Sequence, residues 1–211
     1  MSNIKYLVFD LDNTLYPPDK SILKEVDKKI NEFMVFKVGI SSDDVDSLRR
    51  EYWDKYGTTL NGLIKHFNIN PHEYLEFVHD VCYDKYFCRD DLLIKILSEF
   101  DEKKYIFTNG SKKHALNVLE RLGIKEYFEQ IFSIEDTDFH PKPYKKSFDF
   151  FVERSGINPK ETIFFEDMPK NLRGAKELGF KTALVWDKSD EFDYAFDSIY
   201  DIINIKKIKY V

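Results

Sequence analysis

The amino-acid sequence predicts an α/β fold, a Rossmann-like parallel sheet with helices on both faces and an inserted all-helical segment. Three observations lead there. From Asp90 onward, helix-length amphipathic stretches alternate with short apolar runs, and consecutive parallel strands of that kind need crossover helices. An N-terminal run, Tyr6-Leu7-Val8-Phe9, ends abruptly at Asp10 and belongs in the same sheet. Between that run and its partners, residues from about 21 to 86 show helical spacing and hardly a strand, so they read as an insertion.

The elements follow in order. Pro17-Pro18 breaks the chain after the first strand. Ile22, Val26, Ile30, Phe33 and Met34 recur at helical spacing, and Ser42 with Asp43 offers a cap for a second helix through Leu48 and Trp53. Gly57 and Gly62 then interrupt, and Pro71 opens another helix carrying Tyr74, Phe77 and Val78. Farther on, helices near Leu92 to Phe100, Lys113 to Leu122, Tyr144 to Arg154 and Asn171 to Leu178 lead in turn into strands. Those strands are Lys104 to Thr108, Ile131 to Ile134, Thr162 to Glu166 and Thr182 to Val185. The expected division is residues 1–16 and 87–211 for the α/β core and 17–86 for the helical insertion, placed beyond the carboxyl ends of the strands, where open α/β sheets bind ligands.

Composition narrows the function classes. A chain of 211 residues with 43% hydrophobic content can bury one substantial core beside a smaller insertion. Its formal charge of −6, from 38 acids and 32 bases without a long basic stripe, argues against a nucleic-acid polymer as partner. No run of 18 or more apolar residues occurs, and the N-terminus enters a strand directly. The expectation is a soluble, cytoplasmic protein without a membrane partner, acting as a monomer or weak homo-oligomer. Cys82 and Cys88 have no CxxC spacing and read as reduced structural thiols.

The chemistry concentrates at strand ends. Asp10 and Asp12 stand at i and i+2, on one side of an extended backbone. Two carboxylates that close repel as anions, so a site holding both needs a cation or keeps one of them protonated; a strand end followed by an Asx turn is the plainer reading. Phe107 runs into Thr108-Asn109-Gly110 and Phe165 into Glu166-Asp167, and in a parallel sheet those ends share one edge. Lys142, flanked by Pro141 and Pro143, joins them. Individually these are a capped turn, an acidic N-cap region and a surface lysine. Together they supply carboxylates for a hard cation, a hydroxyl and an amide as donors, backbone N–H groups around Gly110 and one ammonium, which is a phosphate site with a divalent ion.

At this point the chain resembles the haloacid dehalogenase-like hydrolase superfamily along its full length. Asp10-Leu11-Asp12-Asn13-Thr14 is similar to the first motif, Thr108-Asn109 to the second, Lys142 to the third and Glu166-Asp167 to the fourth. The segments Tyr56-Gly57-Thr58-Thr59-Leu60-Asn61-Gly62-Leu63 and Tyr74-Leu75-Glu76-Phe77-Val78-His79-Asp80 resemble the pyrimidine 5′-nucleotidase branch. Met168 stands where many relatives have a small hydroxyl residue, and Asn171 where others often have Asp.

The resemblance implies a phosphatase acting on a small-molecule phosphomonoester. Asp10 attacks phosphorus to form an aspartyl-phosphate, while Asp12 protonates the leaving oxygen and later activates water. Mg²⁺ is held by the Asp10 carboxylate, the Asp12 backbone carbonyl and Asp167. Lys142, Thr108, Asn109 and the Gly110 backbone stabilise charge on phosphate, and Glu166 has a secondary role in orienting metal-bound water or holding Lys142. Independently of the resemblance, Gly57 and Gly62 permit close backbone approach, so Thr59 and Asn61 are expected to contact the substrate, a capped helix-to-helix turn being the plainer reading. The alternatives are a phosphoglycolate or sugar phosphate phosphatase with the same core motifs, a 2-haloacid dehalogenase, which has no use for the acid at Asp12, and a non-catalytic binding protein, which would be expected to lack a core acid.

Overall fold

The computed structural model describes residues 4–208. Six strands, β1 (Tyr6–Phe9), β2 (Lys103–Phe107), β3 (Gln130–Phe132), β4 (Thr162–Glu166), β5 (Lys181–Val185) and β6 (Tyr194–Phe196), form one parallel sheet in the order β3-β2-β1-β4-β5-β6. The predicted α/β class holds. β6 was not expected; it is a three-residue edge strand whose only buried side chain is Phe196, too short to leave an apolar run.

The chain steps outward from β1 through β2 to β3, then returns to the other side of β1 for β4, β5 and β6. Right-handed crossovers put the helices of these two excursions on opposite faces. The second excursion carries the helices Lys145–Ser155 and Pro169–Glu177. Their Phe148, Phe151, Leu172 and Ala175 pack with Val8, Phe107, Phe132, Phe164 and Leu184 of the strands. Phe107 stacks on Phe151 with ring centroids 4.5 Å apart. Alternate strand residues, Leu7, Phe9, Ile106 and Phe165, point the other way and are equally buried. The reversal of strand order between β1 and β4 is the switch point at which such sheets bind ligands.

Residues Ile22–Tyr83 form a separate compact unit built of four helices, α1 (Leu23–Phe36), α2 (Val45–Tyr56), α3 (Thr59–Phe67) and α4 (Pro71–Val78). The expected cap from Ser42 and Asp43 is not made: α2 starts after Asp44, without a side-chain cap. Gly57 does end α2, in the left-handed conformation at φ 79°. Gly62, read as a second interruption, lies inside α3. A Cβ there would sit 2.1 Å from Tyr52 Cγ, so the glycine lets α3 approach α2 closely.

Cys82 and Cys88 are free and exposed, not buried in a structural role. Among the described residues, no helix is long and apolar enough to cross a membrane.

Candidate active site

Phe9 pairs in register with Ile106 on one side and Phe165 on the other, so Asp10, Thr108 and Asp167 all leave the sheet at one edge. The Asp10 N–H donates to Phe165 O at 2.9 Å, extending the ladder by one residue. The backbone then turns sharply. Asn13 takes φ 58°, a left-handed conformation that asparagine tolerates better than most residues, and the Thr14 and Leu15 N–H groups return to Leu11 O. That turn folds Thr14 onto the acid four residues earlier: its Oγ1 donates to Asp10 Oδ2 at 3.2 Å and accepts the Asp167 N–H at 3.1 Å. The turn is held from outside by Trp186, just beyond β5, whose indole N–H donates to Thr14 O at 3.1 Å.

Lys142 reaches the same place from the opposite direction. Its Nζ donates to Asp10 Oδ1 at 2.7 Å, Glu166 Oε2 at 2.8 Å and Phe107 O at 2.7 Å, which accounts for all three ammonium hydrogens. Burial disfavours its charge, but the Asp10 and Glu166 carboxylates outweigh that and raise its pKa. Asn109 fixes the lysine backbone at both ends, accepting the Lys142 N–H on Oδ1 at 2.7 Å and donating from Nδ2 to Lys142 O at 3.1 Å. Expected as a ligand donor, Asn109 instead clamps the strand end to the segment that delivers the lysine.

Carboxylate oxygens of Asp10, Glu166 and Asp167 all lie within 4.8 Å of one another, an arrangement able to hold a metal ion. Burial, followed by the charge of Glu166, pushes the Asp10 carboxyl up to about 7. Burial and neighbouring acids likewise push Glu166 up to about 7 and Asp167 up to about 6. One ammonium does not offset three acids, and a divalent cation would.

The three acids are not equivalent. Glu166 accepts from Lys142 and from Asn171 Nδ2 on Oε2, and from the Met168 N–H on Oε1, so its geometry suits holding Lys142. The two departures from the family pattern are thereby accounted for. Met168 contributes a backbone N–H that any residue except proline supplies, and the buried Asn171 supplies a donor that Asp could not when ionised.

Asp12 stands apart from this acidic group. Its Oδ1 accepts from Tyr16 OH at 2.6 Å and lies 2.8 Å from His114 Nε2. Burial, then the Asp12 charge, pushes the Tyr16 phenol well above its ordinary pKa, so it remains a donor.

Thr108 is buried, and its Oγ1 accepts the Gly110 N–H at 2.9 Å; that N–H, expected to face a ligand, is satisfied inside the turn. Thr59 and Asn61 belong to the helical unit. Thr59 lines a cavity of about 400 Å³ with Asp46, Arg49, Arg50, Trp53 and Asp54. Asn61 takes part in capping: its N–H donates to Thr58 Oγ1 and its Nδ2 to Tyr56 O. Thr14, Tyr16 and His114 were missed in the sequence. The i, i+4 spacing of Asp10 with Thr14 and of Asp12 with Tyr16 was the available signal for two of them, and nothing marked His114.

Comparison with known proteins bears on this geometry. Phosphate metabolism protein 8 of Saccharomyces cerevisiae is 29% identical over an alignment of 191 residues that covers 83% of this chain and 59% of that protein. The chain thus spans less than two thirds of that relative. Glyceraldehyde 3-phosphate phosphatase of Methanopyrus kandleri is 26% identical over 198 residues, covering 86% of this chain and 84% of the other. A HAD phosphatase from Thermococcus onnurineus shares the fold with a TM-score of 0.64 at 23% identity, over 96% of this chain and 98% of that one. The L-2-haloacid dehalogenase of Xanthobacter autotrophicus also shares it, with a TM-score of 0.61 at 18% identity, over 97% and 98%. Residues 4–179 match the family model described as haloacid dehalogenase-like hydrolase, and the chain belongs to that family.

Proposed function

We propose that the chain is a Mg²⁺-dependent phosphomonoesterase working through an aspartyl-phosphate on Asp10. The observation that carries this reading is the buried contact of Lys142 Nζ with Asp10 Oδ1 and Glu166 Oε2, beside a third acid at Asp167. A dianionic substrate approaching an anionic nucleophile needs positive charge already in place, and here one ammonium meets three carboxylates. The donor set is all oxygen, as a hard divalent cation requires. Asp10 and Asp167 would hold Mg²⁺ together with the Asp12 carbonyl. The ion would supply charge neutralisation at the phosphate.

The chain's own residues then divide the work. An Asp10 carboxylate oxygen forms the bond to phosphorus as the ester P–O bond breaks, and Asp12, protonated at that moment, gives its proton to the departing oxygen. In the second half, water attacks the same phosphorus and loses a proton to Asp12. Asp10 leaves as carboxylate, and inorganic phosphate is released. Lys142 keeps its proton throughout and stabilises charge on Asp10 and on the transferred group. Thr14 holds Asp10 and Asp167 in mutual register, and Glu166 keeps Lys142 in place.

For the substrate, we assign a nucleoside 5′-monophosphate, of the pyrimidine class. The support is the resemblance of Tyr56 to Leu63 to the pyrimidine 5′-nucleotidase branch. The core residues address only phosphate and metal, so discrimination between leaving groups falls to the helical insertion acting as a cap. A small sugar phosphate is the second reading, favoured by the name of the Methanopyrus relative. Halide displacement leaves Asp12 without a task.

The deciding experiment measures phosphate release from UMP, CMP, AMP, GMP, glyceraldehyde 3-phosphate and phosphoglycolate, with Mg²⁺ and in excess chelator. Preference for UMP or CMP that vanishes in chelator is expected, and Thr59→Ala or Asn61→Ala should reorder the nucleotides more than they slow a small generic ester. Full turnover in chelator removes the metal assignment. A three-carbon or two-carbon substrate ranked first removes the nucleotidase one.

A further inference from the structure

Two buried polar side chains converge on Asp12 and have no step of their own in the reaction described above. Tyr16 comes from the same turn, and His114 comes from the helix Lys112–Leu122, 102 residues farther along the chain. His114 is completely buried and Tyr16 is 3% exposed. Both reach the same atom, Asp12 Oδ1, at 2.8 Å for His114 Nε2 and 2.6 Å for Tyr16 OH. Taking an imidazole out of water is costly unless it is hydrogen-bonded, and this ring is turned towards a carboxylate in the site.

Each of the two donors is itself held. The His114 backbone N–H donates to Ser111 Oγ at 3.2 Å, the N-cap bond that fixes the first turn of its helix. The Tyr16 ring packs edge-on against Phe87 with centroids 4.7 Å apart and planes at 61°. We propose that His114, together with Tyr16, is a positioning residue for Asp12: the two hydrogen bonds fix the plane of the carboxyl group through Oδ1 and assign proton delivery and removal to Oδ2.

Gly110 fits the same arrangement. A Cβ at that position would lie 3.1 Å from His114 Cδ2, 3.3 Å from Thr108 Oγ1 and 3.4 Å from Asp12 Oδ2, so the glycine keeps a side chain away from Oδ2. The physical consequence is directional. A general acid works only when its proton points at the leaving oxygen, and a carboxyl group held at one oxygen from two sides no longer rotates freely about its Cβ–Cγ bond.

This inference rests on the reading of Asp12 as the acid, and the test separates the two. Phosphoenzyme formation is followed in single turnover with UMP, an alkyl-type ester that needs a proton on its leaving oxygen, and with p-nitrophenyl phosphate, which needs one far less. Asp12→Asn provides the reference. His114→Leu keeps volume without a donor, and His114→Gln returns an N–H donor. The expected result is that His114→Leu slows UMP by about 10- to 100-fold, part of the range for a complete acid–base group. It should slow nitrophenyl phosphate only a few-fold and leave KM nearly unchanged, while His114→Gln regains most of the UMP rate. Tyr16→Phe deletes one oxygen and keeps the packing on Phe87; it should shift the two esters in the same sense and carries the test if the leucine variant fails to fold.

Equal slowing of both esters, or no rescue by glutamine, overturns the positioning role while Asp12→Asn still discriminates between the esters. An Asp12→Asn variant that slows both esters alike overturns the acid assignment, and the positioning role with it.

Discussion

Lys142 Nζ and Asp10 Oδ1, 132 residues apart in sequence, meet at 2.7 Å with the lysine side chain fully out of solvent. The contact joins the end of β1 to a loop that follows β3, so the proposed chemistry would depend on the same atoms as the stability of this edge of the sheet.

Removing the ammonium should therefore damage both. Lys142→Met leaves Asp10 and Glu166 buried without a counter-charge, and breaking such a pair costs about 3–5 kcal/mol. A Lys142→Met/Glu166→Gln double variant removes one of the stranded charges and should recover part of that loss while remaining inactive. Urea midpoints of the parent, both single variants and the double variant measure it. Additive losses would mean that the two side chains are not coupled.

Metal removal should change the pH dependence of stability with a definite sign. Asp10 and Glu166 titrate at about 7 and Asp167 at about 6 in the metal-free fold, all above the ordinary carboxyl range. A raised carboxyl pKa means that the native state keeps protons the unfolded chain has lost. Its stabilising contribution is complete below about pH 4 and is lost as pH rises through 6 and 7. In chelator, the melting temperature should fall between pH 5 and pH 8 by more than it does in Asp10→Asn. Mg²⁺ should restore it at pH 8 and do little at pH 5. A Mg²⁺ effect of equal size at both pH values would contradict the account.

Thr14 offers a narrower probe, since its hydroxyl serves both Asp10 and the Asp167 backbone. Thr14→Val keeps the shape but strands the part-buried Asp167 N–H, at a cost towards the lower end of about 1–3 kcal/mol. It should weaken Mg²⁺ binding, read as a rightward shift in a metal titration of activity. Thr14→Ser should stay close to the parent. A valine variant with parental metal affinity would show that the hydroxyl does not set the spacing of the two acids.

Gly174 lies inside the helix Pro169–Glu177, where alanine is ordinarily favoured by about 1 kcal/mol. Here the sign should reverse. A Cβ would sit 2.9 Å from Pro143 O and 3.2 Å from Phe148 Cε2, and overpacking costs about 1–3 kcal/mol. Because Pro143 follows Lys142, Gly174→Ala should lower kcat as well as the urea midpoint. A variant that is both more stable and fully active would refute the close-contact argument.

Asp10, Glu166 and Asp167 were foreseeable because parallel strands bring their carboxyl ends to one edge, so polar residues ending separate apolar runs must converge; Lys142, in a loop, was marked only by its two flanking prolines and by its resemblance to a family motif. The direction of each hydrogen bond was not. Nothing in Thr108-Asn109-Gly110 distinguishes a turn that donates to a ligand from one that satisfies itself, and the structure has Gly110 bonded to Thr108 and Asn109 to Lys142. His114 escaped notice for a related reason: a lone histidine on an amphipathic helix looks like any other buried ring until its neighbour is known. β6 and α3 were missed on local grounds, the first for brevity and the second because Gly62, a helix breaker by propensity, was required by the Tyr52 ring instead.

The hydrogen bond from Trp186 to Thr14 O lies beyond the stretch matched to the family, which ends at residue 179. A chain cut back to that boundary would keep every acid and the lysine and still lose the outer brace of the turn that carries Asp12 and Thr14. Trp186 itself adopts φ 68°, a conformation in which a bulky side chain persists only where its surroundings enforce it. The last two strands therefore act as a buttress for the turn that follows β1, and a fragment that keeps this brace has to extend past Trp186 to the Phe196 carbonyl that receives its backbone N–H.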